Sequence, residues 1–165
     1  MEVIGISLGS NLGNREKNLE SARSDLFESG FILLKLSRIY ETLPLGFQSA
    51  HIFLNQFIIA QTDHSPDETI MVLQSIEKKM GRKRDNKIIE DRSIDLDLIF
   101  FGDQIINQKN LQVPHPRMHE RLFVLMPLCD IYPEWIHPQF KKSARQMMDE
   151  IKNTGETHDG NLIIG

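Results

Sequence analysis

Cysteine is nearly absent from this chain. Cys129 stands alone among 165 residues, so no internal disulfide can form, which fits a reducing, cytoplasmic compartment. Long apolar runs are missing as well. The opening Met1-Glu2-Val3-Ile4-Gly5-Ile6 has no basic segment, and neither a signal peptide nor a membrane span is expected. No charge of one sign dominates: the net charge of −4 at pH 7 argues against broad nucleic-acid binding. There is no internal repeat, low-complexity tract or linker, so one domain over residues 1–165 is expected, as a monomer. That length can bury a core without disulfides. Two phosphate-binding patterns are also lacking. No Lys-Ser or Lys-Thr follows Gly13, and Gly-x-Gly-x-x-Gly is not met after Gly9, so this segment alone reads as a strand-to-helix turn.

What is present reads as alternating strands and helices. Residues 3–8 form a short buried strand. Asn14 caps a helix over 15–28, with Leu19, Ala22 and Leu26 on one stripe and Gly30 at its end. Strands are expected over 31–40 and 53–62. Ser65-Pro66-Asp67-Glu68 is a capping box with proline in the first turn. It opens a helix with Ile70, Leu73, Ile76 and Met80 inward, closed by Gly81. Gly102-Asp103 suits a two-residue turn into 104–106. A helix over 118–129 would place Cys129 as a packing residue. Another is expected over 143–152, with a frayed tail from 153. The order β-α-β-β-α-β with later additions points to an α+β, ferredoxin-like fold with an antiparallel sheet, which by itself says little about function.

The most informative run is Arg92-Ser93-Ile94-Asp95-Leu96-Asp97-Leu98-Ile99-Phe100-Phe101. Read as a strand, it projects Asp95 and Asp97 from one face, with Cα atoms ~7 Å apart, and Ile94, Leu96 and Leu98 into a core. Such a pair fits either a strand with one wet face or a cation site. Hard carboxylate oxygens suit Mg²⁺, which commonly takes one or two carboxylates plus substrate phosphates. The upstream Arg82, Lys83, Arg84, Lys87 and Arg92 favour the second, as a phosphate-binding surface beside a metal. Strand parity opposes Arg92 to the aspartates, so it belongs to the loop before the strand.

Phe53, Asn55, Phe57 and Ile59 share a strand face. Asn55 beside Phe53 is either a turn-proximal amide or part of a pocket for a flat heterocycle. Phe123 is either core or the opposite wall. His115 between two prolines, and Arg121, are either solvated or phosphate contacts.

Gly9-Ser10-Asn11-Leu12-Gly13, Glu41-Thr42 with Pro44-Leu45-Gly46, Asn55, and Arg92-x-x-Asp95-Leu96-Asp97-Leu98 followed by Val113-Pro114-His115-Pro116 resemble the 6-hydroxymethyl-7,8-dihydropterin pyrophosphokinases of folate biosynthesis. The motifs run in order over about residues 1–138. The resemblance implies transfer of the β,γ-pyrophosphoryl group of ATP to the pterin hydroxymethyl group. It implies two Mg²⁺ ions on Asp95 and Asp97, and catalytic roles for Arg82 and Arg92 beside those aspartates. Thr42, Pro44, Leu45 and Asn55 would bind the pterin between Phe53 and Phe123. Gln74, Glu77, Arg84, Arg92, Leu98, His115 and Arg121 would serve the nucleotide.

The chain departs from that pattern at Ile89-Glu90-Asp91, where relatives often carry Trp-Gly-Pro. Asp85 stands where a basic residue is common, and Pro116 where an aromatic is frequent. Other readings are a nucleotidyltransferase, a non-catalytic small-molecule-binding module, and an RNA-binding domain of similar topology. The distance in sequence from Gly9-Ser10 to Asp95 disfavours the first. The lack of an aromatic strand motif and the acidic balance disfavour the last.

Overall fold

Alternating small and branched apolar residues make Glu2–Ser10 a strand, β1, buried from Ile4 onward. It lies between β4 (Phe53–Thr62) and β5 (Asp95–Phe101), antiparallel to both. The far edge of β4 carries β2 (Ile32–Leu36) and β3 (Tyr40–Thr42), and β8 (Leu162–Ile164) pairs with β3. The order is β5-β1-β4-β3-β8 with β2 also on β4. Helices α1 (Arg15–Glu28) and α2 (Pro66–Lys79) cover one face. Helices α3 (Leu122–Ile131) and α4 (Ala144–Thr154) pack together on the other. This is an α+β fold with an antiparallel sheet. The structure is a computed structural model that describes residues 1–42, 51–81, 92–154 and the backbone of 162–164.

Strand parity divides the core in two. Ile4, Ile6, Leu8, Leu96 and Leu98 join Leu19, Leu26, Leu73 and Ile76 of the first helix pair. Phe57, Ile59, Ile99 and Phe100 join Leu122, Leu125, Leu128, Met147 and Trp135. Each buried aliphatic side chain is worth roughly 1.5–3 kcal/mol. A one-residue slip of β5 would turn Leu96 and Leu98 outward and Asp95 and Asp97 into the core, so the register is strongly specified.

Helix signals are realised as the chain spells them. Asn14 Oδ1 accepts Lys17 N–H, and Ser65 and Glu68 close a reciprocal capping box. Four expectations need correction. The strand expected over 31–40 is two strands. Between the pairs Leu36–Ile58 and Tyr40–Asn55, three residues face two on β4. The surplus is absorbed at Ser37, whose Oγ accepts Phe57 N–H. The helix expected over 118–129 is a 3-10 turn, Met118–Glu120, then α3, because Arg121 is extended (φ −119°, ψ 105°). After the turn at Gly102-Asp103 the next strand is β6 (Ile106–Gln108), which pairs with β7 (Leu111–Val113) instead of β5. The tail expected to be frayed contributes β8 to the sheet. Among the described residues no helix is long and apolar enough to cross a membrane.

Candidate active site

The site lies at the end of the sheet where β1 leaves it. Two rows of paired residues cross there. Gly9 pairs with Asp95 on one side and with Asn55 on the other, and Ser7 likewise with Asp97 and Phe57. Directly paired residues face the same side, so Asp95, Asp97, Asn55 and the Gly9 backbone share a surface. Both aspartates are half-buried, while Leu96 and Leu98 between and beyond them are buried at 2% and 4% exposure.

Glycine opens this surface. A Cβ on Gly9 would sit 3.2 Å from Asn55 Oδ1, 3.6 Å from Phe53 Cδ1 and 3.9 Å from Asp95 Cβ. The missing side chain leaves a slot between the amide and the carboxylate. Asn55 Nδ2 donates to Thr42 Oγ1 at 2.5 Å, which fixes the amide orientation.

Two segments enter the site and one residue holds both. Asn11, 2% exposed, accepts Arg92 N–H on Oδ1 at 2.7 Å, and its Nδ2 donates to the His51 carbonyl at 3.3 Å. Its own N–H donates to the Arg92 carbonyl at 3.1 Å. Arg92 lies before the strand, as parity required, and donates from Nη1 to Asp95 Oδ2 at 3.1 Å. Its guanidinium stands 5.6 Å over the Phe53 ring. Arg121 makes the matching contact with Phe123, at 5.5 Å. Arg121 Nε is buried with no hydrogen-bond partner among the described residues. An unmatched buried donor is costly.

A cavity of about 280 Å³ is lined in part by Asp97. Gln74, Leu98 and His115 line it with Asp97, as do Lys109 and Asn110 at the tip of the β6–β7 hairpin. His115 is placed by a β-bulge: one extra residue on β5 near Ile99 exposes the Ile99 carbonyl, which accepts His115 N–H at 2.7 Å. Burial, helped by Arg121, pushes the His115 pKa down to about 4, so the ring is neutral at pH 7. Its Nδ1 accepts Arg117 N–H, which puts the proton on Nε2 as a donor.

The structure thus gathers Thr42, Phe53, Asn55 and Arg92 on the Asp95 side of the pair, and Gln74, Leu98 and His115 on the Asp97 side. Glu77 is not a lining residue of the cavity. It is buried beneath β5, and its Oε1 accepts Leu96 N–H at 2.8 Å. Pro44, Leu45, Arg82, Arg84 and the atypical 85–91 stretch lie outside the described residues. Sequence reading gave no role to Gly9, Asn11, Lys109 or Asn110. Gly9 and Asn11 were visible as a turn and as part of the resemblance, and Lys109 and Asn110 were not singled out. Cys129 packs in the second core, where burial pushes its thiol up to about 11.

The donor set fits Mg²⁺. Among the described residues no three His, Cys, Asp or Glu side chains converge as a closed metal cage. A carboxylate pair leaves the remaining positions to water and phosphate, the usual arrangement for that ion.

A family model described as 7,8-dihydro-6-hydroxymethylpterin-pyrophosphokinase matches residues 5–133. The 2-amino-4-hydroxy-6-hydroxymethyldihydropteridine pyrophosphokinase of Porphyromonas gingivalis is 39% identical over 142 residues, 84% of this chain and 96% of that protein. The protein of that name from Bacillus subtilis is 42% identical over 76% of this chain and 75% of its own length. The folic acid synthesis protein fol1 of Pneumocystis carinii is 44% identical over 91% of this chain, which spans only 20% of that longer protein. In structure, the wild-type HPPK-DHPS of Plasmodium falciparum superimposes with a TM-score of 0.74, covering 98% of this chain and 47% of that one at 15% identity. That likeness speaks to the fold, and the sequence relatives carry the assignment: the chain belongs to the 7,8-dihydro-6-hydroxymethylpterin-pyrophosphokinase family.

Proposed function

We propose that this chain transfers the β,γ-pyrophosphoryl group of ATP to the hydroxymethyl oxygen of 6-hydroxymethyl-7,8-dihydropterin, in folate biosynthesis. The observation that carries this reading is the position of the aspartate pair. Asp95 faces Asn55 across Gly9, while Asp97 lines the cavity with Gln74 and His115. An acceptor held on the Asn55 side and a nucleotide held on the Gln74 side would meet at the carboxylates.

The pterin ring would lie between Phe53 and Phe123, with Asn55 and Thr42 reading its polar edge. Pro44 and Leu45 would complete that pocket. Gln74 and Leu98 would border the base and sugar, with Lys109 and Asn110 at the rim and Glu77 supporting the strand from below. Arg82, Arg84, Arg92, Arg121 and neutral His115 would face the triphosphate. Asp95 and Asp97 would hold two Mg²⁺ ions, which when bound supply neutralisation of the phosphate charge. The pterin hydroxyl oxygen bonds to the β-phosphorus. The bond from that phosphorus to the α,β-bridging oxygen breaks, AMP leaves with the electron pair, and the hydroxyl proton goes to solvent. Such a step needs in-line positioning and charge stabilisation more than a strong base.

A ferredoxin-like core is supported by the order β5-β1-β4-β2, to which α3, α4 and β8 are added. The two apolar clusters sharing one sheet support a single domain. The test is an assay with ATP, Mg²⁺ and the hydroxymethylpterin, reading both products. AMP with pterin pyrophosphate supports the reading, and release of inorganic pyrophosphate overturns it.

A further inference from the structure

We propose that Arg38, Tyr40 and Asp130 form a clamp that positions the pterin half of the site, by pinning the helix that carries Phe123 to the strand that carries Thr42. The inference rests on the function proposed above and adds positioning residues to it.

Tyr40 is 1% exposed and pairs in the sheet with Asn55, so its ring rises from the same face as the pterin-reading amide. Two residues on, Thr42 accepts the Asn55 amide. Tyr40 O–H donates to Asp130 Oδ1 at 2.7 Å and accepts from Arg38 Nη2 at 2.8 Å. Arg38 reaches Asp130 directly through Nη2 at 3.0 Å, Nε at 3.2 Å and its backbone N–H at 3.3 Å. Three groups, on β3, on the residue two before Tyr40 and on α3, thus satisfy one another.

The far element is α3. Phe123 and Asp130 are seven residues apart, so they lie on one stripe of the helix, about 10 Å apart along its axis. Fixing Asp130 to β3 restrains α3, whose first turn carries the Phe123 ring and whose interior holds Pro127. Lys35 Nζ adds a bond to the Ile131 carbonyl at 3.1 Å. The aperture between Phe53, one strand away on β4, and Phe123 therefore depends on this contact. Burial raises the Asp130 pKa, but the hydrogen bonds from Arg38 and Tyr40 outweigh it and hold the carboxyl below its ordinary range. Burial and the Asp130 bond push Tyr40 up to about 12, so the O–H stays protonated as a donor.

Tyr40→Phe removes one oxygen from the clamp and nothing from the ring packing. It is expected to raise the pterin KM and Kd about tenfold, the worth of one hydrogen bond to a charged group. The ATP KM and kcat should stay within about twofold, since binding and not the transition state is altered. Asp130→Ala should do the same or more, and Asp130→Glu should recover part of the loss. A Tyr40→Phe protein whose pterin Kd matches wild type overturns the clamp, as does a parallel rise in both substrates' KM. Wild type that neither binds the pterin nor forms AMP overturns the proposed function instead.

Discussion

Asn11 and Arg92 hold each other by two hydrogen bonds, Arg92 N–H to Asn11 Oδ1 at 2.7 Å and Asn11 N–H to the Arg92 carbonyl at 3.1 Å. The pair ties the turn after β1 to the segment that leads into β5. Arg92 in turn bridges Asp95 and the Phe53 ring, so a buried amide in a turn sets the entry to both halves of the site.

Asn11→Ala removes the acceptor for a part-buried N–H. It is expected to cost about 1–3 kcal/mol of stability and to lower turnover about tenfold or more through misplacement of Arg92. Urea unfolding and AMP formation measured side by side check both. Wild-type turnover in a destabilised variant would restrict Asn11 to folding.

Gly9→Ala and Gly5→Ala separate binding from packing. A Cβ on Gly5 meets Phe100 at 2.4 Å and Phe57 at 2.9 Å, inside the core, and overpacking of that kind costs roughly 1–3 kcal/mol. A Cβ on Gly9 meets the Asn55 oxygen in the open slot instead. Gly5→Ala should lower the melting temperature, whereas Gly9→Ala should weaken pterin binding with little change in ATP affinity. Asn55→Ala should share that selectivity. Calorimetric titration of each ligand distinguishes the outcomes.

Much of this was legible in the sequence, for identifiable reasons. Asp95-Leu96-Asp97 was readable because strand parity is rigid and leucines on the other face fix the register. Helix ends were readable because Asn14, Ser65 and Glu68 act within one turn. Other features depend on distant residues. Ser37 breaks a strand because β4 is one residue short opposite it. Glu77 was placed near the nucleotide by resemblance alone, and nothing local shows its bond to Leu96 N–H. Lys109 and Asn110 carried no signal of their own, and only the folded position of the β6–β7 hairpin brings them beside Asp97.

Acid sensitivity follows from two histidines. Burial, with His119 next, pushes His137 from the usual 6.5 down to about 4, and His115 falls to about 4 by burial and Arg121. Because the folded values are lower, the unfolded chain takes up these protons first as pH falls. The associated stability is fully present above about pH 6.5 and is lost on the way down to about 4. Asp130 and Glu68, both held below their ordinary values, extend the loss to still lower pH. The melting temperature should be flat from about pH 7 to 8 and fall between 6.5 and 4. His137→Asn keeps an acceptor for Gln139 and Phe140 N–H and should flatten part of that fall in a calorimetric pH series.

The paired carboxylates are the centre of the site, and Asp97→Ala removes one of them. AMP formation from ATP and the hydroxymethylpterin is followed over a Mg²⁺ titration, beside wild type, with thermal unfolding as the control. The melt should be unchanged, and turnover should fall on the order of a hundredfold or more in a way that added Mg²⁺ does not restore. Near-wild-type turnover at saturating Mg²⁺ would contradict the metal-holding role of the pair.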